Sequence, residues 1–259
     1  MDLLVDIGNT RIKWMYYISG KSLHNCFTEE VSLSLTEILD KLELKKFLPK
    51  RVLVCSVGSI EFTRSMISNI LLAHTCTMYA IKPQKHAFGV TICYEDPCLF
   101  GVDRWLALLA AYNKYNSAVL LADLGSAVTL DTLDASGMHQ GGLISLGIGK
   151  MVKSLSNCEL LPFIDEGMLP SSFQTGYACN TRSAIYQGVM LSVSSLLNTA
   201  AINIGNSSFA KVKLVLTGGD AAMINPLLID NWSLEPTLVF DGMKLILSNE
   251  YLLNKYALK

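Results

Sequence analysis

Apolar and polar positions along the chain follow two periods, and each predicts its own kind of element. Leu3 to Ile7 is an apolar run of strand length, interrupted by Asp6, and predicts a buried strand. After the turn Gly8-Asn9-Thr10, the stretch Arg11 to Ile18 alternates partly and predicts a second strand, which makes the turn a hairpin loop. Arg51 to Cys55 reads as a strand, followed by helical spacing from about Glu61 to His74. Phe100 to Tyr112 combines good helix formers with helical spacing. Val119 to Ala122 predicts another strand ending at Asp123, and Gly141 to Leu146 a strand that leads into a helix from about Ile148. Ser183 to Ile202 predicts a long apolar-faced helix. Lys211 to Leu216 predicts a strand that ends at Thr217-Gly218-Gly219-Asp220, with a further helix after it. Strands followed by helices throughout predict an α/β protein.

One part of this pattern occurs twice. Leu3-Leu4-Val5-Asp6-Ile7-Gly8-Asn9 and Leu120-Leu121-Ala122-Asp123-Leu124-Gly125-Ser126 both read apolar run, Asp, apolar, Gly, small polar residue, then strand. The match suggests a duplicated unit, with the boundary in the polar break Asn113 to Ser117 and lobes of residues 1–116 and 117–259. Asp is depleted in strands, and a buried carboxylate is costly unless paired, hydrogen-bonded or metal-bound. Asp6 therefore either caps the turn or handles metal and phosphate at a strand end. On the second reading, two similar α/β lobes face each other across a nucleotide cleft. Converging carboxylates would hold Mg²⁺, which favours a few carboxylates, waters and substrate phosphates. Small turn residues would let backbone N–H groups and the Thr10 and Ser126 hydroxyls approach a phosphate. Thr217-Gly218-Gly219-Asp220 offers a third such turn, with Asp220 either supporting the turn or approaching the nucleotide.

Composition narrows the classes. Hydrophobic residues make up 51% and charged residues only 17%, which implies a generous core and apolar surface buried in an oligomer. The net charge of -1, with no basic run, argues against a nucleic-acid or membrane-binding face. Seven cysteines without a C-x-x-C, and four histidines far apart, argue against a zinc site or disulfide framework. The cysteines are expected to be reduced and mostly buried. No signal-peptide pattern opens the chain and no apolar span reaches membrane length, so a soluble, cytoplasmic protein is expected. Asp131, Asp134 and the Asp40 to Lys46 charges are expected on the solvated surface, and Tyr16, Tyr17 and the methionines in packing roles.

The ordered set Asp6-Ile7-Gly8-Asn9-Thr10, Tyr94, Gly101-Val102-Asp103-Arg104, Asp123-Leu124-Gly125-Ser126-Ala127, Gly141-Gly142-Leu143-Ile144, Asn180-Thr181 and Leu216 to Asp220 resembles the type III pantothenate kinases. These belong to the actin/hexokinase/Hsp70-like ATPases, whose lobes are ribonuclease-H-like. The resemblance spans the chain, and Gly-x-Asp-Arg in the middle makes it specific.

The resemblance implies ATP-dependent phosphorylation of pantothenate to 4'-phosphopantothenate, the first step of coenzyme A biosynthesis, by a cytoplasmic homodimer. It implies that Asp6, Ile7, Gly8, Asn9, Thr10, Arg11, Ile12 and Lys13 form the first ATP phosphate loop and that Ser126 touches ATP. Asp103 would be the general base within the pantothenate site, shared with Tyr94, Gly101, Val102, Arg104 and Thr181. Asp123 would bind K⁺ or NH₄⁺, and Asp6 is the candidate for Mg²⁺ or another divalent cation. By residue type alone Asp103 reads as a helix cap; the resemblance favours the base. Departures from the family pattern are Ser126 for Thr, Leu146 for Pro, and Asn157-Cys158-Glu159 before Leu161-Pro162. Two rival readings remain: a kinase for a different small alcohol, and a non-enzyme that binds nucleotide or pantothenate without turnover.

Overall fold

The computed structural model describes residues 1–18, 21–30, 33–156, 177–205 and 212–258. Its elements run β1 (Asp2–Ile7), β2 (Arg11–Ile18), β3 (Lys21–Glu30), α1 (Leu35–Lys41), α2 (Leu44–Phe47), β4 (Arg51–Ser56), α3 (Ile60–Ala73) and β5 (Thr77–Ala80). A short hairpin of β6 (His86–Ala87) and β7 (Val90–Thr91) precedes α4 (Val102–Tyr115). Then come β8 (Val119–Leu124), β9 (Ala127–Leu133), β10 (His139–Leu146), α5 (Ile148–Ser156) and α6 (Thr181–Gly205). The chain closes with β11 (Lys213–Thr217), α7 (Ala221–Ile224), β12 (Ser233–Leu234), α8 (Leu238–Leu247) and α9 (Glu250–Lys255).

Two compact units result. The first comprises residues 1–85, 94–110 and 238–259, the second residues 86–93 and 111–237. The first unit has a sheet of order β3-β2-β1-β4-β5, the second a sheet of order β10-β9-β8-β11-β12. In each, the three leading strands form an antiparallel meander, and the next two join parallel to the first through helical crossovers. The same topology therefore occurs twice, and the repeated Asp falls at the same place: Asp6 and Asp123 are the penultimate residues of the central strands β1 and β8.

The units do not follow a single cut at residue 116, because the last helices return to the first sheet. α8 packs on β1, and a Cβ added to its Gly242 would meet the Leu106 carbonyl oxygen of α4 at 2.2 Å. Glycine there lets the two helices touch backbone to backbone. Ala80 N donates to Tyr256 O and Leu258 N to Met78 O, so the terminus runs along the β5 edge.

Each sheet has its own core. In the first, Leu3, Val5 and Ile7 of β1 share one face with Ile12, Trp14, Val52 and Val54 beneath α1 and α3. In the second, Leu120, Ala122 and Leu124 pack with Val128, Leu130 and Leu216 against α5 and α6. Helix α6, contrary to expectation, is long and apolar enough to cross a membrane by length and composition. One stripe of it, from Tyr186 through Met190, Val193 and Leu197 to Ile204, lies in the core of the second unit.

Two surface expectations fail. Asp131 is 1% exposed, because the β9–β10 hairpin brings it to His139, a buried partner that polarity alone does not reveal. Among the described residues Cys55 is buried and Cys76 half-buried, but Cys93, Cys98 and Cys179 are exposed, so these thiols are not mostly core. Tyr16 behaves as expected: it is buried and its hydroxyl donates to Leu42 O.

Candidate active site

The first unit builds its site where β1 ends and α4 begins. Asp6 is only 8% exposed, faces Lys13 across the β1–β2 ladder and Cys55 on β4, and accepts a 3.6 Å hydrogen bond from Cys55 Sγ. Burial pushes its carboxyl up to about 6; Asp103 adds to the rise and Lys13 opposes it. The same surroundings push the Cys55 thiol upward, burial first, then Asp6 and Asp103. Two carboxylates thus sense each other at one strand end.

Asp103 sits in the first turn of α4, where the helix dipole favours an anion. Its Oδ1 accepts the Arg104 N–H at 2.8 Å. A Cβ on Gly101 would lie 2.7 Å from that oxygen, so glycine keeps room for the carboxylate. Arg104 is buried, and its guanidinium lies 4.4 Å from the Phe100 ring centroid. Tyr94 meets the Phe100 ring edge-on, with centroids 4.9 Å apart, and its carbonyl accepts from Lys85 Nζ at 2.7 Å. Tyr94, Gly101, Asp103, Arg104 and Asp6 are therefore brought together in one unit.

The remaining residues divide by accessibility. Ile7, Ile12 and Val102 are core side chains, so only their backbone is open to a ligand. Gly8 N donates to Arg11 O and closes the hairpin, whose tip, Asn9 and Thr10, is exposed together with Arg11. Gly58 supports this loop: a Cβ there would lie 2.7 Å from Gly8 O.

The second unit repeats the construction. Asp123 is half-buried and pairs with Thr129 and Thr217. Gly125 N donates to Ala127 O to close a shorter hairpin that carries Ser126. Gly218, at φ +100°, lies against Leu124, where a Cβ would come within 2.3 Å of its carbonyl oxygen, and Asp220 N donates to that oxygen. The Thr217 to Asp220 turn thus supports the Asp123 turn as Gly58 supports the Asp6 turn. Gly147 packs equally closely on Gly125 O, directly after the Leu146 departure. Thr181 is exposed and opens α6. The Asn157-Cys158-Glu159 departure lies outside the described residues. Sequence reasoning missed Cys55 and Gly58; the signal was there, since Gly58 follows β4 as Gly218 follows β11.

A sheet topology used twice, with an aspartate at each central strand end, defines an α/β protein with the fold of the actin-like ATPases. Solved structures agree on the fold. The activator of 2-hydroxyisocaproyl-CoA dehydratase from Clostridium difficile, with bound ADPNP, is 13% identical with a TM-score of 0.55, covering 98% of this chain and 95% of its own. A conserved Baf family protein from Campylobacter jejuni is 22% identical with a TM-score of 0.56, covering 96% and 99%. The family model for type III pantothenate kinase matches residues 2–203. Type III pantothenate kinases from Dechloromonas aromatica and Nitrosococcus oceani are 31% and 29% identical, each over 94% of this chain and over 98% and 92% of their own length. The chain belongs to the type III pantothenate kinase family.

Proposed function

We propose that the chain transfers the γ-phosphoryl group of ATP to the primary hydroxyl of pantothenate, giving 4'-phosphopantothenate for coenzyme A synthesis. The observation that carries this reading is a helix-start carboxylate, Asp103, beside a buried guanidinium, Arg104, and the buried carboxylate of Asp6. Phosphoryl transfer is mostly positioning and charge neutralisation, so the protein needs a proton acceptor, an anchor for the alcohol and cationic help for the phosphates. Asp103 takes the hydroxyl proton, and Arg104, fixed on Phe100, holds the pantothenate carboxylate with Tyr94 alongside; Thr181, in the second unit, is a further candidate contact for pantothenate. In the first unit, backbone N–H groups of the loop from Asp6 to Lys13 are the candidates for holding the ATP phosphates; in the second unit the Ser126 turn is the candidate ATP contact.

Among the described residues no group of three or more His, Cys, Asp or Glu could hold a metal by itself. Mg²⁺ needs only one or two carboxylates, completed by water and phosphate, so Asp6 fits it. A carboxyl raised by burial and a neighbouring charge is stabilised as an anion when such a cation arrives. When bound, a divalent ion offsets the charge that spreads over the phosphates. Asp123, half-buried in the equivalent turn, is the candidate for K⁺ or NH₄⁺. The deciding measurement is ADP release with and without pantothenate, in potassium and in sodium buffer. We expect release that requires both pantothenate and K⁺ or NH₄⁺. Release without pantothenate, or with another alcohol only, would overturn the substrate, and full rates in sodium would remove Asp123's ion.

Arg104→Lys is expected to raise the KM for pantothenate about tenfold or more, since a forked, charge-assisted bond is lost. An unchanged KM would place the carboxylate elsewhere.

A homodimer belongs to the same reading. Its support is the β10 edge, where Leu143, Ile144 and Leu146 are 55%, 64% and 50% exposed. A cavity of about 400 Å³ beside it is lined by Leu146, Met151, Leu155, Ile185 and Val189. Light scattering should give twice the chain mass, and a monomer at micromolar concentration would contradict this. A net charge of -1 without a basic run gives no support to a nucleic-acid or membrane-surface role, and a cytoplasmic location is part of the same proposal.

A further inference from the structure

Outside the Asp6–Asp103 site, the second unit links a cysteine, a histidine and an aspartate. Cys93 Sγ lies 3.2 Å from His139 Nδ1, and His139 Nε2 lies 3.0 Å from Asp131 Oδ1. The His139 and Asp131 side chains are 0% and 1% exposed, whereas Cys93 is open to solvent. The fold sets this arrangement firmly. The β9–β10 hairpin brings His139 to Asp131, with its register shift at His139. Thr91 bridges Met138 in parallel and donates its N–H to Gly137 O, which carries Cys93 to the ring of His139.

The order of the groups decides their roles. A carboxylate accepts hydrogen bonds and does not donate them, so Asp131 draws the proton of a neutral imidazole to Nε2. Nδ1 is then the acceptor, and the atom it faces is an exposed thiol. A nucleophile, a base within hydrogen-bond reach and a third group orienting the base are the geometry of an activated nucleophile. Buried Asp–His pairs that serve packing alone have no need of a solvent-facing thiol at the second nitrogen.

We propose that Cys93 is an activated thiol and a modification site for low-molecular-weight disulfides, with His139 as its base and Asp131 orienting that base. As Cys93 sulfur attacks one sulfur of the incoming disulfide, its proton passes to His139 Nδ1. The new S–S bond forms while the old one breaks, and the departing thiolate takes the proton from His139 to leave as a thiol. The incoming disulfide is the oxidant, and Cys93 is left as a mixed disulfide.

The test uses the intact native chain incubated with oxidised glutathione, quenched at intervals and mapped by peptide mass spectrometry. Cys98, another exposed thiol of the same chain, is the internal reference. Cys93 is expected to form the adduct at least about a hundredfold faster than Cys98, the low side of what base assistance supplies. Asp131→Asn, which keeps shape but disturbs the ring tautomer, and His139→Gln should each bring Cys93 close to the Cys98 rate. A Cys93 rate no faster than that of Cys98 in the unaltered chain overturns the proposal, even if both variants fail to fold. An undiminished Cys93 rate in a variant whose circular dichroism is native overturns it equally.

Discussion

Asp103→Asn is expected to lower the turnover number at least about a hundredfold while leaving the chain folded, the loss typical of a missing general base. Asparagine keeps the volume, and its side-chain oxygen can still accept the Arg104 N–H that Asp103 accepts at 2.8 Å. The start of α4 and the packing of Arg104 on Phe100 should therefore survive. What disappears is the group able to take the hydroxyl proton. A second readout separates this role from that of a helix cap. The Asp103 charge helps to raise the Asp6 carboxyl to about 6, so its removal should lower that value. The acid limb of the remaining activity then moves to lower pH in the variant. Turnover within a few fold of the unaltered enzyme would reduce Asp103 to a capping residue.

How far this site was legible from residues alone depends on how local each signal is. The duplicated sheet was visible because an Asp two residues before a Gly, after an apolar run, is a short pattern that occurs twice. The structure places both at the same point of the same topology. The return of residues 238–259 to the first unit was not visible. α8 buries Leu238, Phe240, Met243 and Ile246 and would look the same on either sheet. What fixes its place is the closeness of Gly242 to Leu106, a contact between distant parts of the chain. Asp131 was misplaced for a related reason. Polarity puts an aspartate outside, and only the register that brings His139 to it explains why it lies inside. Cys55 is buried, as expected of the cysteines in general, but its hydrogen bond to Asp6 makes it part of the site's electrostatics. Pairings across strands, in short, carried the chemistry that runs of residue type did not show.

Asp6→Asn should make the ligand-free chain more stable and the enzyme inactive. Burial and Asp103 raise the Asp6 carboxyl from 3.8 to about 6, so the folded chain holds a proton that the unfolded chain releases more readily. The stabilisation from that proton is complete below about pH 3.8 and is lost as pH rises through about 6. At pH 8 the unaltered chain therefore carries a buried anion that costs about 3 kcal/mol, from the size of the shift at 1.36 kcal/mol per unit. Asparagine removes that charge, so the variant should melt several degrees higher at pH 8 and close to the unaltered chain near pH 4. Magnesium and nucleotide reverse the comparison. The unaltered chain should gain stability from MgATP, and this gain should shrink as pH falls through about 6, where the carboxyl takes its proton back. Asp6→Asn should show little magnesium-dependent gain at any pH and lose turnover by at least about a hundredfold if the residue holds a catalytic divalent ion. A variant that melts lower than the unaltered chain at pH 8, or that keeps its magnesium response, would mean the carboxylate serves the turn rather than the phosphates. With the higher melting temperature and the lost magnesium response both observed, the buried charge that weakens the empty protein would be the feature that draws the cation to the phosphates.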